Sequence, residues 1–145
     1  MNDLIICKEL ISNCFSDLWT LHLTSIGILL SLLTLLYSFI LSKKDELKLV
    51  TEQIKLGDSS PLVIQKKNFA IVYIKRLVNI NCQCFYILLI SIFLASCSWI
   101  GMRFLNGSIS FWVLVTIAVL TIIVIGYIIY LAIHILKQYR NDIKI

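Results

Sequence analysis

LWTLHLTSIGILLSLLTLLYSFILS, residues 18–42, decides the fold. It contains no Asp, Glu, Lys, Arg or Pro. A helix needs about 20 apolar residues to cross the hydrocarbon core of a bilayer, and this stretch supplies one crossing. Two more charge-free blocks follow, Leu77 to Met102 and Phe104 to Leu136. Each is long enough to cross once, and none can cross twice without a turn. The expected fold is therefore all-α, an integral membrane protein with three transmembrane helices.

Composition agrees. Of 145 residues, 59% are hydrophobic and 14% charged, against about 25% charged in ordinary soluble chains. A small soluble domain buries only about two-thirds of its surface, so it could not hide this much apolar area.

Working outward, the chain reads as a single membrane domain, 1–145. Residues 18–42 form span one, 82–102 span two and 109–136 span three. Residues 1–17 are expected to form an amphipathic helix lying in the outer interface or on the ends of the spans. Leu4, Cys7, Leu10, Ile11, Cys14 and Leu18 follow helical spacing there, with Asn2, Lys8, Glu9, Ser12, Asn13 and Asp17 between them. A cleavable leader is not expected. The apolar run exceeds the usual 7–15 or so residues, its N-terminal flank is acidic, and no small-x-small site follows.

Residues 43–81 are expected to form a helical hairpin joining spans one and two. Lys43 to Leu56 holds good helix formers, and Gly57 offers a C-terminal stop. Ser60 followed by Pro61 offers an N-cap and a proline at the first helical position. Asn106-Gly107-Ser108 marks an outer turn within 103–108, and 137–145 is a tail.

Charge sets the expected orientation. Lys43, Lys44, Lys48, Lys55, Lys66, Lys67, Lys75 and Arg76 lie between spans one and two, and Lys137, Arg140 and Lys144 follow span three. The other side holds only Lys8 and Arg103. The positive-inside rule places the N-terminus outside and the hairpin and C-terminus in the cytoplasm of a cell (inner) membrane. Trp19, Trp99 and Trp112 then fall at outer span ends, and Tyr37, Tyr86 and Tyr130 toward inner ends. Trp19 and Tyr37 are 18 residues apart, as are Trp112 and Tyr130. That is about 27 Å of helix, close to the thickness of the core.

Residues able to carry chemistry are sparse. His22 and His134 fall in opposite leaflets and should share no metal; both are explained as neutral, hydrogen-bonded side chains near headgroup depth. Cys82 and Cys84 point to different sides of a helix. Cys7 and Cys14 are two turns apart, too far for a disulfide within one helix. Cys7 or Cys14 could bridge two copies on the outer side; otherwise the five cysteines read as small apolar packing residues. Asp17 and Arg103 are expected to pair at the outer interface. No phosphate loop, nucleophile elbow, paired carboxylates within a span or basic-aromatic nucleic-acid module is present. Neither an enzyme, a cofactor nor a nucleic-acid partner is expected.

The most informative pattern is a stripe on span one. Thr24, Gly27, Ser31, Thr34 and Ser38 recur at intervals of 3, 4, 3 and 4, and Thr20 extends the line. Small and hydroxylated residues let membrane helices approach closely; in several copies the same stripe could line a narrow wet path. Span two has a weaker version in Ser91, Ala95 and Ser98. Span three has little of it and is expected to face lipid. Lys43, Lys44, Lys66, Lys67, Lys75 and Arg76 are candidates for docking a partner or for meeting lipid headgroups.

The expected function is that of a small multi-span membrane protein acting as a homo-oligomer in the lipid bilayer. In layout alone the chain is similar to small membrane effectors of bacterial defence systems, which implies a pore-forming or membrane-perturbing activity. The alternative is a non-conducting anchor or subunit that docks a cytosolic protein through the basic hairpin.

Overall fold

The computed structural model describes the backbone of residues 2–57, 60–104 and 108–143, and their side chains except at 2–7, 108, 138, 139 and 141–143. Three helices account for almost all of it: α1 (Asn2–Lys55), α2 (Pro61–Phe104) and α3 (Ser108–Ile143). No strand occurs among the described residues. Each helix contains a stretch long and apolar enough to cross a membrane, within Lys8–Lys55, Pro61–Phe104 and Ile109–Lys137. The chain is a multi-pass helical membrane protein.

Helix ends follow local chemistry. The Gly57 N–H donates to the Ile54 carbonyl at 3.2 Å, and Gly57 takes φ +100. A side chain at that position would be strained, so glycine closes α1 cheaply. The Val63 and Ile64 N–H groups both donate to the Ser60 carbonyl, at 3.0 and 3.2 Å. Pro61 opens α2 where its missing N–H costs nothing. Asn106 and Gly107, read from sequence as the outer turn, lie outside the described residues.

One expectation is corrected in part. Residues 2–17 are not a separate interfacial helix, because α1 runs unbroken from Asn2 to Lys55. Phe15 within it packs on the other two helices, as expected of a segment lying on the ends of the spans. Leu10, assigned to its apolar face, is 61% exposed, whereas Phe15 is 1% exposed.

The chain divides into two compact units, Met1–Ile26 with Leu89–Ile145, and Gly27–Leu88. In the first, Phe15 of α1, Leu94 of α2 and Ile117 of α3 form a buried cluster flanked by Ile11, Leu18, Met102 and Val113. The second pairs the rest of α1 with the first half of α2. It buries Leu29, Leu36, Ile40 and Val50 from one helix and Ala70, Leu77, Cys84 and Ile87 from the other.

Burial recurs every seven residues. On α1 the buried line is Phe15, His22, Leu29 and Leu36; on α2 it is Ala70, Leu77, Cys84, Ser91 and Ser98. A strict seven-residue repeat keeps one seam facing its neighbours, as in left-handed coiled coils. The α2 line is made mostly of small side chains, which let other helices approach. In its most apolar stretch α2 is 44% buried, against 17% for α1 and 11% for α3, so α2 is the helix on which the others pack.

Candidate functional site

The span-one stripe occupies the face of α1 that the protomer leaves bare. Thr20, Thr24, Gly27, Ser31, Thr34 and Ser38 are all exposed. At 3.6 residues per turn they centre roughly opposite the buried line through Phe15, His22, Leu29 and Leu36. Among the described residues, no atom beyond its own turn of helix lies within 4 Å of a Cβ added at Gly27. The small residues that the protomer uses for its own packing are instead those of α2, where Ser91 and Ser98 are fully buried and Ala95 nearly so.

Four of the stripe's five hydroxyls are partnered along their own helix. Thr20 donates to the Ser16 carbonyl at 3.0 Å, Thr24 to Thr20 at 2.9 Å, Ser31 to Gly27 at 3.0 Å and Thr34 to Leu30 at 2.9 Å. Those four protons are spent, so from Thr20 to Thr34 the face can meet an apolar neighbour without orphaning a donor.

His22 is buried among the helices of the first unit, at 2% exposure, rather than turned toward headgroups. Its Nε2 lies 3.0 Å from Thr121 Oγ1, and Thr121 Oγ1 donates to the Ile117 carbonyl at 2.8 Å. A hydroxyl has one proton to give. Since that proton goes to Ile117, Nε2–H of His22 is the donor, and the bond ties α1 to α3. The sequence marked His22 as hydrogen-bonded, but nothing in Thr121 announced it as the partner. Thr121→Val keeps the shape and strands the Nε2–H in a place water does not reach. We expect a loss of about 1–3 kcal/mol, above the roughly 0.6 kcal/mol average for hydrogen bonds between membrane helices. Unfolding in mixed micelles would measure it. Adding His22→Leu should recover part of the loss, because both polar partners are then gone; a double variant weaker than Thr121→Val contradicts this assignment.

Other sequence candidates separate. His134 is exposed, with its ring 6.2 Å from that of Tyr130. Cys84 is buried while Cys82 is exposed; Cys14, Cys82, Cys84 and Cys97 are free thiols. The Cys7 side chain lies outside the described residues. Asp17 and Arg103 do not pair: the described ion pairs are Lys43–Glu46 and Lys48–Asp45. The Arg103 guanidinium instead sits 6.0 Å from the centre of the Trp99 ring, an attraction that competes with an exposed ion pair worth only about 0–1 kcal/mol.

Among the basic residues between spans one and two, Lys43 and Lys66 are brought together on one groove. Lys43 lies on α1, beside Glu46; Lys66 lies on α2, one turn before Ala70. Lys44, Lys75 and Arg76 are exposed and Lys67 half-buried, and none of them lines it. No group of three or more His, Cys, Asp or Glu side chains comes together among the described residues. Comparisons with protein families, with characterised proteins and with solved structures find no match to this chain.

Proposed function

We propose that this chain works as a homo-oligomer in the membrane, assembled through the α1 stripe. One observation carries the proposal. All six stripe residues are exposed on the face of α1 opposite its packed line, where, among the described residues, no atom beyond Gly27's own turn of helix comes within 4 Å of the position a Cβ would take there. Lipid needs no such face; leucine and isoleucine serve it equally well. Small residues matter where another backbone comes close, and a second copy supplies a helix of matching length and pattern. The partnered hydroxyl protons favour a dry seam over a wet lining. The Lys and Arg distribution supports an inner-membrane orientation with the N-terminus outside.

In this reading the protomer is the building block and the assembly is the active form. The layout supports a bilayer-perturbing role like that of the small defence effectors it is similar to. A second reading, docking of a cytosolic protein on the hairpin, draws on Leu49, Leu56, Leu62 and Phe69, which are large, apolar and exposed there.

Ser31→Leu and Thr34→Leu test the seam. Each adds bulk where backbones should meet, and overpacking costs about 1–3 kcal/mol. Cross-linking in membranes should show assembly weakened about tenfold or more, with ion flux falling in step. Preserved assembly with abolished flux would instead make the stripe a pore lining. If both stay unchanged, the stripe faces lipid and span one is not the functional helix.

A further inference from the structure

In the Gly27–Leu88 unit the two helical arms enclose a groove of about 540 Å³. Lys43 and Glu46 of α1 form one wall; Gln65, Lys66, Phe69 and Tyr73 of α2 form the other. Ala70, buried between them, is the small residue that leaves the space. Phe69 and Tyr73 stack with centroids 6.4 Å apart, their planes inclined by 15°, and Phe69 is 68% exposed. The Lys43 Nζ sits 5.9 Å from the Tyr73 ring centre. Lys66 pairs with no acid among the described residues.

We infer that this groove binds the headgroup of an anionic phospholipid. The inference rests on the reading of residues 18–42 as a membrane span. Lys43 is the first charged residue after that apolar block, so the groove begins where hydrocarbon gives way to headgroups. A phosphate there meets two lysines. Lys66 is uncommitted, and Lys43 is held only by an exposed i,i+3 pair with Glu46, worth about 0–1 kcal/mol and easily exchanged. The stacked rings of Phe69 and Tyr73 offer an apolar shelf to the glycerol backbone and the first methylenes. Glu46 and Gln65 accept hydrogen bonds from headgroup hydroxyls, which fits a glycerol headgroup. Choline fits less well, because it has no hydroxyl to give to Glu46 or Gln65. Basic pockets beside spans hold anionic headgroups by the same chemistry.

Native mass spectrometry of the protein released from nanodiscs of equal phosphatidylglycerol and phosphatidylcholine tests this. Phosphatidylglycerol adducts should dominate in the unaltered protein. Lys66→Gln should reduce them about fivefold, the worth of one lysine close to an anionic headgroup. Lys66 is exposed, so the variant should fold, and its helix content can be checked by circular dichroism. Lys137→Gln, which removes an exposed charge on α3, should leave the adducts unchanged. Equal adducts of both lipids would overturn the assignment. So would an equal loss in the Lys137 variant, which would mean diffuse attraction. Displacement of the lipid by soluble glycerol 3-phosphate would make the ligand a free phosphate ester and overturn it too. The same spectra report oligomer mass, so a failed lipid site and a failed assembly are read separately.

Discussion

Phe15→Ala is expected to lower the stability of the packed helices by about 3–5 kcal/mol, the usual cost of deleting a buried phenyl ring. The ring is 1% exposed and packs against Leu94 of α2 and Ile117 of α3, so the variant empties a contact shared by all three helices. Three long helices fixed elsewhere cannot collapse into the gap, which puts the cost toward the upper end. Denaturation in mixed micelles, followed by the fluorescence of the three tryptophans, would report it. A loss under about 1 kcal/mol would mean that Phe15 lies against lipid rather than inside.

Gly101→Ala is the second large effect, and it comes from the same contact. A Cβ at Gly101 would lie 2.5 Å from Phe15 Cε1, 2.7 Å from Cζ and 2.9 Å from Cδ1. These are far inside van der Waals contact. A flexible side chain could move away, but this ring is boxed in. The variant should lose about 1–3 kcal/mol. Phe15→Leu should relieve it, because a shorter side chain clears the new methyl. The two changes should therefore be strongly non-additive in a double-mutant cycle. Additive losses would place Gly101 and Phe15 apart.

These two residues also mark where sequence reasoning ran out. The spans were legible because bilayer thickness imposes a length on any charge-free helix. Gly57, Ser60 and Pro61 were legible because left-handed φ and a missing N–H restrict which residues can stand at helix ends. Phe15 was not. In residues 2–17 the helical spacing of apolar residues pointed to Leu10, Ile11, Cys14 and Leu18, and Asp17 suggested water. In a helix that is apolar nearly all round, hydrophobicity no longer separates the packed face from the lipid face. Seven-residue recurrence does not separate them either, because Thr20, Gly27 and Thr34 on the bare face repeat at seven just as the buried line does. Only the packing itself distinguishes the buried line Phe15, His22, Leu29 and Leu36 on α1, and Ala70, Leu77, Cys84, Ser91 and Ser98 on α2. The hydroxylated line on span one stands out more in sequence, but it lies on the bare face.

The contrast gives the two small-residue lines different tasks. That of α2 is consumed within the protomer, with Ser91 and Ser98 fully buried. That of α1 is left over. Likewise the cysteines sort by face rather than by chemistry: Cys84 continues the buried seven-residue line, and Cys82, two positions earlier, is turned out of it. Nothing in their spacing required a metal or a bridge, and their placement follows helix geometry alone.

Mass measurement of the complex held in nanodiscs tests self-assembly most directly. Two or more copies of the 16.6 kDa chain in one disc are expected, with Ser31→Leu shifting the distribution toward fewer copies. A single copy per disc at every protein-to-lipid ratio, unchanged by Ser31→Leu, would contradict an assembly built on the α1 stripe.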